Sequence, residues 1–176
     1  MPLILLTIAL IVAASTAPTQ GAAAPAKSIS MSVEYALESN KKVVADLFEE
    51  GFNNGKIDIL PSLVAPDYQG PHGQSGPSSL AKTITDLRAT VPDIHYTLDD
   101  VVAERDRVVV RWHWEGTQDG PFRGFAASHR HVTSTGMGIF LVEEHKIKRS
   151  WLQMDQLSFL QQIGALPEEI TPPNPK

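Results

Sequence analysis

Residues 141–159 read LVEEHKIKRSWLQMDQLSF, and this stretch decides where the chain passes from strand to helix. Its middle reads as a strand. Alternate side chains of a strand share a face, which puts Ile147, Arg149, Trp151, Gln153 and Asp155 on one side. If that face lines an enclosed pocket, loss of water raises the carboxylate pKa of Asp155 and makes it a usable general base or acid. The same Asp directly precedes QLSFLQQIG, a helical segment for which Asp is a favoured N-cap. The two roles are compatible.

Upstream of this stretch the texture is that of strands. Asp93–Glu104 and Arg107–Thr117 are expected to pair as an antiparallel hairpin around Glu104-Arg105-Asp106, the second strand being rich in β-branched and aromatic residues. Asp119–Ala127 reads as a loop. His129–Val142 is a third strand, and Glu143-Glu144-His145 turns it into the strand that leads to Asp155. Further upstream the spacing is helical. Ser39 is a good N-cap, and Val43, Val44, Leu47, Phe48 and Phe52 recur at helical spacing down to Asn53-Asn54-Gly55. Lys56–Leu63 predicts a short second helix interrupted by Pro61, and Asp67–Gly73 a glycine-rich loop. Ser78 and Ser79 open a third helix, with Leu80, Ile84, Leu87 and Val91 on one side, ended by Pro92. Helices first and a long antiparallel meander afterwards define an α+β domain with the helices packed on one side of a curved sheet.

The 176 residues, 42% apolar and 20% charged, suffice for one domain with its own core. The formal charge of -5 and the scattered Lys and Arg leave no basic footprint for a phosphate backbone, so no nucleic acid partner is expected. The absence of cysteine excludes disulfides, thiolate metal sites and cysteine nucleophiles. Leu3–Ala14 is an apolar run too short to span a bilayer, followed by Ser, Thr, Ala, Pro and Gly. It reads as a secretory leader over residues 1–26, against a non-folding extension or a start at Met31. The leader implies a secreted or periplasmic protein with no stable membrane insertion after its removal; without it the protein is cytoplasmic. Residues 27–37 then form a disordered linker, 38–167 the domain, and 168–176 a disordered tail.

The order of these elements carries a family likeness. Together with it stand Asp67-Tyr68, Val91-Pro92-Asp93, the run Asp99–Arg111, Gly116-Thr117, Gly120–Gly124, and the ending Lys146-Ile147, Trp151, Asp155, Leu160 and Ile163-Gly164. Over residues 38–167 the chain resembles the SnoaL-like polyketide cyclases, often called ester cyclases. The resemblance implies the cone-shaped, cystatin-like α+β barrel of the nuclear transport factor 2-like superfamily, with one pocket between a bent sheet and the first helices. It also implies a cofactor-free, metal-free intramolecular aldol cyclisation of a polyketide-like ester. In that chemistry the Asp of the last strand, here Asp155, moves a proton at a carbon α to a carbonyl. The chain departs from the family pattern at Leu141 and Arg149. Two other readings therefore stand beside the cyclase: a non-catalytic protein binding an apolar small molecule, as a homodimer through its exposed sheet, and a hydrolase or dehydratase on the same scaffold.

The candidate catalytic pair is Asp155 with His72, whose loop the resemblance places over the cavity, where it is able to donate to a substrate carbonyl. Candidates for contact with an apolar, carbonyl-containing substrate are Trp151, Tyr68, His113, Arg149 and Trp114. Trp151 is favoured as a pocket wall because it shares a face with Asp155. An inward Arg149 would need Asp155 or another acid as partner. His113 alternates with Arg111 and Glu115, opposite Val108, Val110, Trp112 and Trp114; a structural role is its simpler reading. Trp112, Tyr96, Phe125 and Phe140 serve equally as core or as pocket wall. His129 and His131 fall on one strand face without a third ligand at a recognisable spacing, so no metal is expected. His95 and His145 read as surface residues.

Overall fold

The computed structural model describes residues 26–169, with side chains from Met31 onward. The expected leader therefore lies outside the described residues but for Ala26, and the expected tail but for Glu168 and Glu169. Helix α1, Ala26–Asp46, runs into a wider π-helical turn, Leu47–Asn53. A single 3-10 turn, Ile57–Ile59, and the short α2, Leu60–Leu63, lead into strand β1, Val64–Gln69. After α3, Gly76–Thr90, come four strands: β2, His95–Glu104; β3, Arg107–Thr117; β4, His131–Glu143; and β5, Lys146–Met154. Helix α4, Gln156–Gln162, closes the domain. The five strands form one sheet in the order β1-β5-β4-β3-β2, antiparallel except for the parallel β1–β5 edge. The α+β architecture, with helices packed on one face of a curved sheet, is the one the pattern predicts.

The packing follows from alternation. In β3, Val108, Val110, Trp112 and Trp114 are buried, and Arg107, Val109, Arg111, His113 and Glu115 are exposed. Against this inner face lie Val44, Leu47 and Phe48 from α1 and its π turn, and Leu80 and Ile84 from α3. The π turn is tied on both sides. Arg88 Nη1 donates to Phe52 O and Asn53 O, while the Asn53 amide takes the Tyr96 N–H at 2.7 Å and donates to Tyr96 O at 3.0 Å. Gly136 lets the Trp112 ring lie flat across β4: a Cβ there would stand 2.6 Å from Trp112 Cζ2.

Several expectations need correction. Residues 27–37 are helical, not a linker: α1 starts at Ala26, well before Ser39. Met31, Val33 and Tyr35 are exposed along this extension, so local propensity rather than burial carries it. β1 falls between the expected short helix and the expected glycine-rich loop and takes in the first residues of that loop, because it is stabilised by pairing with β5, some eighty residues away. β2 begins at His95 rather than Asp93, and β4 at His131 rather than His129. His129 has a positive φ of 54°, so it does not share a strand face with His131. His129 pairs with Asp119 and His131 faces Glu115.

Candidate active site

Between the inner sheet face, the π turn, α3, the loop after β3 and the start of α4 lies a cavity of ≈ 640 Å³. Its walls are mostly apolar and aromatic, with Phe48, Trp112, Trp114, Phe140 and Leu152 among them. Rings pack edge to face or tilted around it, as with Phe48 and Tyr96 at 5.6 Å and Phe122 and Phe159 at 5.0 Å between centroids. Such a hollow suits a medium-sized apolar ligand oriented by a few polar groups.

The polar groups are sparse. Tyr68, from β1, reaches Ser150, from β5, with 2.7 Å between their hydroxyl oxygens. Burial pushes the Tyr68 phenol pKa up, and the Ser150 hydrogen bond pulls it partly back. Tyr96 is 6% exposed, burial pushes its phenol pKa strongly up, and its hydroxyl has no hydrogen-bond partner among the described residues. Ser134 Oγ donates to Asp155 O, and Asp155 N donates to Thr135 O, which ties the end of β5 to β4.

Asp155 lines the cavity where β5 ends, and it is exposed. Its Oδ1 accepts the Ser158 N–H at 3.0 Å, capping α4 as the sequence predicts. No hydrogen bond reaches its other oxygen, Oδ2, among the described residues. The carboxylate thus stands at the cavity rim with one oxygen engaged and one unengaged, not in the water-poor interior that its strand face suggested.

The route by which Asp155 reaches the cavity also differs from the alternation argument. Val142 pairs with Ile147 but Leu141 pairs with Arg149, so Lys148 is an extra residue in β5. Beyond this bulge the faces exchange. Ser150, Leu152 and Met154 line the cavity, and Arg149 and Trp151 lie exposed on the outer face, the guanidinium 4.9 Å from the Trp151 ring centre. Asp155 lines the cavity because the chain turns into α4, not because it shares a face with Trp151.

Family models and solved structures agree on what this arrangement is. Residues 42–163 match the model of the SnoaL-like polyketide cyclase. The chain belongs to the SnoaL-like polyketide cyclase family. Among solved structures it is similar to TsrD from Streptomyces laurentii, at 31% identity and a TM-score of 0.69, over 73% of this chain and 97% of TsrD. IdmH from Streptomyces antibioticus is 26% identical with a TM-score of 0.63, over 71% of this chain and 98% of IdmH. A SnoaL-like protein from Jannaschia sp. CCS1 is 25% identical with a TM-score of 0.67, over 74% of this chain and 94% of its own. No curated protein sequence matches the chain.

Within this SnoaL-like frame the structure brings Asp155, Tyr68 and Trp114 to one cavity. It does not bring the others there. Trp151 and Arg149 face outward. His113 is exposed on the outer face of β3, with Nδ1 2.8 Å from Asp99. His72 is exposed in the turn after β1, held by its backbone N–H to Gln74 Oε1, and its neighbours Pro71 and Gln74 line the cavity in its place. Phe125 is exposed, while Trp112, Tyr96 and Phe140 are cavity wall. Polar residues of the cavity lining that the sequence did not single out include Ser134, Ser150, Thr83, Thr90, Asp86 and Arg123. Gln118 is fully buried and organises the loop after β3, taking the Ser128 N–H on its Oε1 at 2.7 Å. The alternation of Leu152 and Met154 with Trp151 and Gln153 was the available signal for the exchanged face of β5. Among the described residues no three His, Asp or Glu side chains gather as a metal-holding group.

Proposed function

We propose that this SnoaL-like protein takes a medium-sized apolar carbonyl compound into the cavity and exchanges a proton with it through Asp155. Oδ2 removes a proton from the carbon α to a carbonyl, and the resulting enolate attacks a second carbonyl of the same molecule. A C–C bond forms, the second carbonyl becomes an alkoxide, and the proton returns from Asp155 to that oxygen, so no cofactor is consumed. The observation that carries this reading is a carboxylate oxygen without a hydrogen bond at the rim of a large apolar cavity. A bound ligand covers that rim and takes water away from the carboxylate, which strengthens it as a base. The cap hydrogen bond fixes the carboxylate plane without engaging the second oxygen.

The test is exchange of the methyl protons of 2-acetylnaphthalene for deuterium in D2O, followed by NMR. The wild-type protein is expected to accelerate it, and Asp155→Asn, which keeps an oxygen able to cap α4, to lower the acceleration by about a hundredfold or more. Equal rates in both proteins would remove Asp155 as the base. The exposure of Asp155 and its capping bond favour a second reading, a binding protein without chemistry. Binding of the ketone with no exchange above the protein-free rate is the outcome that selects it.

Two further parts belong to the same proposal. The apolar run Leu3–Ala14 supports an exported protein. The outer sheet face supports a homodimer: Val102 pairs with Val109, Val109 with Ile139 and Ile139 with Trp151, an exposed apolar row across four strands.

A further inference from the structure

Tyr96 occupies an unusual position in this cavity. Its backbone is clamped by both arms of the Asn53 amide, so its place on β2 is fixed from the helical layer as well as from β3. Its ring lies among Phe48, Phe52 and Trp114, with centroids 5.6, 5.2 and 6.4 Å away. A phenol held so firmly in apolar surroundings ordinarily has a hydrogen-bond partner, because leaving a buried hydroxyl without one is costly. Here none exists among the described residues. Nor is the hydroxyl sealed in: Trp112 Nε1 is the buried side-chain polar atom that lacks both solvent and partner among the described residues, and the Tyr96 oxygen is not of that kind. Tyr96 is one of the residues that line the cavity.

We infer that the Tyr96 hydroxyl is the anchoring donor for the carbonyl oxygen of the ligand. This rests on the proposal that the cavity takes an apolar carbonyl compound. It adds the end of the site that orients that compound. Tyr96, Trp114 and Ser134 form one cross-strand row on the inner face, and Ser134 bonds to the backbone of Asp155. Two strand spacings of about 4.8 Å separate Tyr96 from Ser134. Trp114 therefore stands between Tyr96 and the Ser134 that holds the backbone of Asp155. The other buried phenol, Tyr68, already has Ser150 as partner and is the weaker candidate. Because burial keeps the Tyr96 phenol protonated, it presents an O–H throughout the physiological range. A hydrogen bond from it to a carbonyl oxygen strengthens as that oxygen gains charge in an enolate.

The probes are 2-acetylnaphthalene, 13C-labelled at the carbonyl, and 2-ethylnaphthalene, which has the same outline without the oxygen. Infrared spectra of the bound ketone are expected to show its carbonyl stretch lowered from the value in hexane in the wild type and in Tyr68→Phe. In Tyr96→Phe the stretch returns to the hexane value. Ketone affinity falls about three- to tenfold in Tyr96→Phe, the effect of one neutral hydrogen bond, while 2-ethylnaphthalene binds equally to both proteins. A lowered stretch that survives Tyr96→Phe, an unshifted stretch in the wild type, or equal weakening of both probes overturns the inference and leaves the cavity proposal standing. Failure of both probes to bind the wild type overturns the cavity proposal and this inference with it.

Discussion

Ile147 and Ser150 share the inner face of β5 although two residues stand between them, because Lys148 is inserted opposite the Leu141–Val142 step. The insertion decides which side chains meet the cavity. Deleting Lys148 removes the extra residue and leaves Ile147, Ser150 and Leu152 in regular alternation on the inner face, with Arg149 and Trp151 still outside. The loss is then confined to the exposed ion pair of Lys148 with Asp67 and to local adjustment of the strand, so the deletion is expected to cost only about 1 kcal/mol. Urea unfolding followed by tryptophan fluorescence measures it. A loss of about 3 kcal/mol or more would show that the faces of β5 are not kept when the bulge is removed.

The bulge also marks the boundary of what the sequence made legible. Local patterns carried α1 as far as the Asn53-Asn54-Gly55 stop, the β2–β3 hairpin and the cap at Asp155, since each is written in neighbouring residues. β1 and the face of β5 depend on partners far along the chain: Val64 meets Ile147, and Leu141 meets Arg149. Within a run as polar as Lys146–Ser150 the inserted residue leaves no mark of its own, and the local trace of it is the alternation of Leu152 and Met154 with Trp151 and Gln153 that follows. Tyr96 was legible as an aromatic wall but not as an unpartnered donor, because that property is set by what the fold leaves out of reach.

The Tyr68–Ser150 pair joins the parallel edge strand to the rest of the sheet. Ser150→Ala leaves the Tyr68 phenol buried without its partner and is expected to cost about 1–2 kcal/mol. Tyr68→Phe leaves the small Ser150 hydroxyl unpaired at a similar cost. In the double variant both polar groups are gone, and the loss is expected to be smaller than the sum of the two. A double-mutant cycle in urea checks this, and strict additivity would mean that the two hydroxyls do not interact in solution.

Asp93 sets an acid limit on stability. Its carboxylate accepts the Thr117 N–H at 2.6 Å and the Thr117 hydroxyl at 2.9 Å, which together hold its pKa below the usual Asp value against the opposing effect of burial. A group whose pKa is lower in the folded than in the unfolded state stabilises fully above the unfolded value, about 3.9, and loses that contribution as pH falls through the folded value. Since Asp93 is exposed, solvent screening reduces the effect to about 1 kcal/mol. Asp93→Asn is expected to be less stable than wild type at pH 7, with the gap narrowing below about pH 4. Stability curves for the two proteins across the acid range decide it. A gap that is constant with pH would assign the loss to geometry rather than to charge.

The outer face of the sheet gives the most direct test of assembly. Val102, Val109, Ile139 and Trp151 form an exposed row, and Met137 stands beside it. Arg111 bridges Asp99 and Asp100 at one edge, and Arg149 covers Trp151 at the other. An apolar centre with a rim of both charge signs is self-complementary when a second copy is related by a two-fold axis, which brings opposite signs together across the edges. Ile139 lies near the middle of the row, so Ile139→Glu places like charges face to face in such a dimer while leaving the inner face and the cavity untouched. The wild type is expected to sediment as a dimer at micromolar concentration and the variant as a monomer with unchanged ketone binding. A monomeric wild type would remove the homodimer from the proposal, and a dimeric Ile139→Glu would move its interface to another surface.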